Sequence, residues 1–172
     1  MMPTKPKSSL KNIPSMCSRA SWWIGTTPYP WKNNLLKGHL MATIISKDQI
    51  TPDLDYEKGL DIRIGINDST CGSKELTMGY TIIPPGVRNP AHYHPNAEAG
   101  FFILQGELNV YIGEKRELTR VKPGTFVHVR KGEIHGIENP NQKEPAALIF
   151  AYGNVPNKEA SGTTFVEEPW VK

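Results

Sequence analysis

Thiols, long apolar runs and early acidic residues are what this chain has least of. Cys17 and Cys71 are its two cysteines and neither sits in a CxxC pair, so the sequence indicates neither a disulfide framework nor a thiolate zinc site. No stretch approaches the roughly 18 apolar residues of a membrane-crossing helix, and the first twenty residues lack the apolar centre of a secretory signal. The expectation is therefore a cytoplasmic protein with no membrane partner. Helix-period patterning of useful length is missing too, which argues against a bundle.

Acid is absent from Met1 to Lys47, where there are seven basic residues; the remaining thirteen face all seventeen acids from Asp48 onward. The formal net charge of +3 thus hides a basic arm on a mildly acidic body. The arm's lysines are scattered among Pro, Ser and Trp rather than gathered in a run, and no helix-turn-helix pattern is visible, so no nucleic-acid partner is expected. Pro3, Pro6, Pro14, Pro28 and Pro30 interrupt any helix there. Residues 1–38 read as an irregular arm whose Trp22, Trp23, Tyr29 and Trp31 are apolar enough to pack against the body or a second copy. A homodimer is the expected assembly.

What the chain does have is glycine and proline, fifteen of each, between short apolar runs. From residue 40 the period becomes two. In "LDIRIGI" (60–66) Leu60, Ile62, Ile64 and Ile66 share one face. "LTMGYTII" ends at Pro84-Pro85-Gly86, "GFFILQGELNVYIG" reads as two strands meeting at Gln105-Gly106, and "AALIFAYG" (146–153) as a late buried strand. Eight or more short strands imply an all-β sandwich or barrel over residues 39–172.

Chemistry concentrates in "AHYHPNAEAGFFILQGELNVYIG" (91–113) and "KPGTFVHVRKGEIHGIENPN" (122–141). On an extended strand residues i and i+2 point the same way, so His92 and His94 present two imidazoles to one ion. The spacing Gly86, His92, His94, Glu98, Gly106, followed by Gly124, Gly132, His135, Asn139, resembles the two motifs of the cupin family over about residues 75–152. Arg130 stands where the second motif normally carries proline. The resemblance implies a cupin-type jelly-roll β-barrel holding one divalent transition metal ion (Fe, Mn, Ni, Cu or Zn) through His92, His94 and His135.

The acid is the departure. Counting back from Gly106, the family's six-residue gap falls on Ala99, whereas Glu98 fits the spacing from His94. A strand slip of one residue turns a side chain to the other face unless a bulge restores it. Two ligand sets follow: three histidines with Glu98, if a bulge lies near Gly100, or three histidines alone. The same slip decides whether Phe102 and Leu104 or Phe101 and Ile103 line the interior. Tyr80, His128 and Glu98 are candidate acid/base groups. Arg88, Arg130, Phe102 and Tyr152 are candidate substrate contacts. Asn139 is expected to fix the turn after His135. The implied function is metal-dependent chemistry on a small oxygenated or carboxylated molecule, oxidation by dioxygen slightly ahead of decarboxylase, isomerase or lyase chemistry. The alternative is a non-catalytic cupin that only binds a small molecule.

Overall fold

A computed structural model describes residues 42–166. The arm over residues 1–38, its basic residues, Trp22, Trp23, Tyr29 and Trp31 lie outside the described residues. Ten strands follow one another: β1 (Asp61–Ile66), β2 (Leu76–Ile83), β3 (His92–Tyr93), β4 (Ala99–Gln105), β5 (Leu108–Ile112), β6 (Glu117–Val121), β7 (Phe126–Val129), β8 (His135–Glu138), β9 (Ala146–Gly153) and β10 (Thr164–Phe165). They form two five-stranded sheets, ordered β1-β2-β9-β4-β7 and β10-β3-β8-β5-β6, in which every strand pair is antiparallel. This is the all-β architecture that the period-two patterning predicts, in the jelly-roll form that the resemblance implies.

Alternation decides which side chains meet inside. Along β2, Thr77, Gly79, Thr81 and Ile83 are buried while Met78, Tyr80 and Ile82 face outward. Along β9, Leu148, Phe150 and Tyr152 turn inward, and along β4 Ala99, Phe101 and Ile103 do. One face dry and one face wet is the ordinary economy of an antiparallel sheet. With Ile62, Leu108, Val110 and Val129 these residues make one apolar core. "LDIRIGI" is less regular than its pattern: Leu60 and Ile62 are buried, but the pairing with β2 shifts between Ile64 and Ile66, leaving both half-buried.

Two loops carry polar scaffolding. At Gly106, between β4 and β5, φ is +74° and an added Cβ would stand 2.8 Å from Ala146 Cβ, so only glycine fits. Asn139 is buried after β8; its Nδ2 donates to Ile83 O (3.1 Å) and Glu144 O (2.9 Å), and its Oδ1 accepts from Asn141 N (3.0 Å). It fixes the loop after β8, as its place in the sequence implies. That loop carries the chain from one sheet to the other, and so sets where β8 presents His135.

Candidate metal centre

β3 and β8 are neighbours, and the register places His92 directly opposite His135. Cross-strand partners on one face bring their Cβ atoms within about 5 Å. His94 follows His92 by two residues and returns to the same face. The backbone N–H of Gly132 donates to His94 O (2.9 Å), which ties the turn before β8 to the end of β3. Three imidazoles converge as a result: each offers a ring nitrogen, and these all lie within 4.8 Å of one another. Ring centroids are 4.3 to 5.1 Å apart, and the three residues are only 2%, 2% and 5% exposed.

The outer nitrogens are tied down. His92 Nδ1 lies 2.9 Å from Pro90 O and His135 Nδ1 lies 3.0 Å from Glu133 O. A carbonyl only accepts, so both Nδ1 atoms carry a proton, and in the neutral ring this leaves the lone pair on Nε2. His94 Nδ1 meets Thr163 Oγ1 (3.0 Å) and Ser161 Oγ (3.3 Å), and the Ser161 hydroxyl already donates to Lys158 O. His94 Nδ1 is therefore also the donor, and its Nε2 is buried with no hydrogen-bond partner. A bare, buried acceptor is costly unless something electropositive meets it. Three imidazoles aimed at one point, each held by a partner on its far nitrogen, fit a divalent ion.

Charge reinforces that fit. Burial, and then the neighbouring His92, lowers the pKa of His94 from 6.5 to about 3; burial first, then His92, also holds His135 well below its ordinary value. Both stay neutral and ready to bind at neutral pH. Because the unfolded chain accepts protons below about 6.5 and the folded one resists them, the metal-free fold has its full stability above that pH and loses it in acid. For His94 the loss continues as pH falls from 6.5 towards 3, and His135 adds to it in the same direction. Urea unfolding of chelator-treated protein should give a lower midpoint at pH 5 than at pH 7.5; equal midpoints would contradict the buried neutral state of His94 and His135.

Beside the trio lies a cavity of about 40 Å³, walled on its apolar side by Leu60, Ile62, Phe101, Leu148 and Phe150. Tyr152, a sequence candidate, reaches it: its ring stands 4.5 Å from that of His94, and its hydroxyl accepts from Tyr56 Oη (3.3 Å). Burial keeps its phenol protonated. The other candidates stand elsewhere. Glu98 is turned outward, its side chain 67% exposed and 3.4 Å from His128 Nε2, itself 62% exposed. The pairing of β4 with β9 runs unshifted from Ala99 to Ile103, with its irregularity only between Ile103 and Gln105. No bulge at Gly100 re-aims Glu98, and Ala99 occupies the inward position.

The same parity sends Phe102 to the outer face, where its ring lies 4.4 Å from that of Phe126; Phe101 and Ile103 are the inward pair. Tyr80 is outward on β2, with Lys47 Nζ 5.8 Å from its ring centre. Arg130 is exposed, and Arg88 pairs by backbone with Glu138 away from the cavity. Sequence reasoning missed Glu57, a buried carboxylate on the cavity wall, as well as Asn89 and Thr163. Glu57 sits in "DLDYEKG", which reads as a polar connection with no period; only its place directly after an aromatic residue hints at burial.

Comparison with known proteins gives a consistent picture. A family model described as "Cupin domain" matches residues 79–152. Protein SchB of Streptomyces halstedii is 27% identical over 127 residues, covering 74% of this chain and 88% of that protein. Polyketide synthase CurC of Streptomyces cyaneus is 25% identical over 126 residues, covering 73% and 79%. Among solved structures, the polyketide cyclase RemF from Streptomyces resistomycificus aligns with a TM-score of 0.61 at 16% identity, over 76% of this chain and 89% of that one. That last likeness speaks to the fold.

Proposed function

From the premise that this chain belongs to the cupin family, its domain lying at residues 79–152, we propose that it is a metal-dependent enzyme. Its substrate on this reading is a small molecule with an enolisable, oxygen-chelating group. The observation that carries the reading is the convergence of three ring nitrogens within 4.8 Å, one of them buried without a partner. His92, His94 and His135 would hold the ion, which when bound supplies a Lewis acid for a substrate oxygen. Imidazole donors suit iron, nickel, copper or zinc.

The protein's own residues do the rest. Pro90 O, Glu133 O and the Thr163 hydroxyl orient the three rings. Phe101, Leu148 and Phe150 exclude bulk water, which strengthens every polar contact inside the cavity. The Tyr152 hydroxyl, neutral and anchored by Tyr56, is placed to meet a ligand oxygen. A void of about 40 Å³ fits the chelating end of a ligand rather than a whole polycycle. Similarity in sequence to a relative called a polyketide synthase supports proton-transfer chemistry at an enolisable carbon, ahead of oxidation by dioxygen.

Elemental analysis of protein purified without added metal, and again after reconstitution, should find close to one equivalent of a divalent metal. The loaded protein should then speed hydrogen–deuterium exchange at the central carbon of a small 1,3-diketone in D2O, beyond the metal-free protein and the free ion, without dioxygen uptake. Dioxygen consumed in step with diketone loss would replace this reading by an oxidative one. Metal below about a tenth of an equivalent even after reconstitution would leave a small-molecule-binding module.

A further inference from the structure

Glu57 is a buried carboxylate, 6% exposed, and among the described residues no lysine or arginine pairs with it. An isolated carboxylate in an apolar wall is strongly disfavoured unless a positive charge faces it. Its Oε2 accepts from Asn89 Nδ2, a neutral group, and its Oε1 lies 3.8 Å from His92 Nε2. Two donors that share one ion at about 2.1 Å each are separated by at most roughly 4.2 Å, so Glu57 and His92 stand within reach of one shared ion. The donors mutually within 4.8 Å are the three histidines, and Glu57 stands at their edge on the cavity side.

The chain places it there deliberately. Asp53 bonds by its backbone N–H to Ile62 O (2.7 Å), beside β1, and its Oδ1 accepts from the N–H groups of Asp55 (3.1 Å) and Tyr56 (3.0 Å). Lys158 pairs with the Asp53 carboxylate. That turn feeds Tyr56 and Glu57 inward, and Leu60 N donates back to Glu57 O (3.1 Å) before the buried Leu60 side chain. Asn89 is in turn fixed, its Oδ1 accepting from Ile137 N (2.7 Å), so the carboxylate is held by a group tied to β8. This segment precedes the residues that the family model matches.

We propose that Glu57 is the carboxylate of this metal centre, supplied from outside the histidine-bearing motifs and standing in for the acid that Ala99 lacks and Glu98 does not bring. It balances part of the charge of a divalent ion held by three imidazoles, and it borders whatever occupies the ion's open side. The proposal deepens the reading above and rests on it.

The test is a titration of the full-length, chelator-treated protein with Co(II) and Zn(II), following visible absorption for cobalt and competition with a chelating dye for zinc. Glu57→Gln should bind both ions roughly 10- to 100-fold more weakly and shift the cobalt spectrum. Glu57→Asp should fall between it and the unaltered protein, and Glu98→Gln should match the unaltered protein. Glu57→Gln with unchanged affinity and spectrum, or Glu98→Gln weakened instead, overturns the assignment. A measurement on the unaltered protein covers failure of Glu57→Gln to fold: zinc binding should shift a carboxylate band in the infrared difference spectrum, and no shift overturns the assignment. If the unaltered protein takes up no metal, the metal-enzyme reading falls; if it binds metal and the Glu57 variants bind it equally well, this inference alone falls.

Discussion

His135→Ala is expected to reduce bound divalent metal from about one equivalent to below roughly a tenth, and to abolish any metal-dependent activity with it. His135 faces His92 across the only register pair that joins β3 to β8, so its ring closes the trio from the second strand. Without it, two imidazoles two residues apart remain, a pair that any exposed strand can offer. Burial and the neighbouring His92 hold the His135 ring neutral, so in the folded protein it resists the proton it would take up in acid when unfolded. The metal-free variant should therefore lose less stability between pH 7.5 and pH 5 than the unaltered metal-free protein. Metal loss together with a flatter acid profile is a pairing that general damage would not produce. Retained metal at one equivalent would remove His135 from the centre.

The centre was legible in the sequence because strands obey a rigid parity. Two histidines at i and i+2 share a face whatever the rest of the chain does, and the turn residues around His135 restrict where it returns. The same parity held the answer for the acid: counting from Gly106 puts Ala99 inward, and the uninterrupted register from Ala99 to Ile103 leaves Glu98 and Phe102 outside. Counting from His94 gave the opposite face, because Pro95 and Asn96 lie between and a loop does not conserve parity. Tyr80 and His128 stand away from the trio as outward members of well-formed strands. Tyr152 points inward on the same face of β9 as Phe150.

Glu57, Asn89 and Thr163 were not legible, since each reaches the centre from a loop or strand end whose direction depends on contacts distant in sequence. Tyr56 Oη lies 2.6 Å from Thr163 Oγ1, across more than a hundred residues of chain, and Thr163 in turn meets His94. Local patterning carries no record of such a relay. The structure therefore divides the site into a part written in strand periodicity and a part written in tertiary contacts, and the proposed carboxylate belongs to the second.

Gly79→Ala tests how tightly that site is tied to the packing behind it, and its expected effect is the largest on the fold. Gly79 is an inward position of β2, paired in register with Phe150 on β9. Its backbone φ is not in the left-handed region, so the restriction is purely one of space. A Cβ there would stand 2.6 Å from Phe150 Cε1, 2.7 Å from Cζ and 2.8 Å from Arg63 O, the last a backbone atom of β1 that cannot swing aside. The Phe150 ring has to leave its place over Gly79, and its neighbours are the cavity and the Tyr152 ring 5.1 Å away. Overpacking of this kind costs about 1–3 kcal/mol, and displacement of backbone adds to it. For a chain of this size about 3 kcal/mol corresponds to a fall in melting temperature of roughly 6–12 °C. Because Phe150 and Tyr152 wall the same cavity as His92 and His135, the variant should also bind a small diketone more weakly while keeping its three histidines intact. A melting temperature within about 2 °C of the unaltered protein would show that Phe150 relaxes freely, and that the cavity wall is softer than its packing implies.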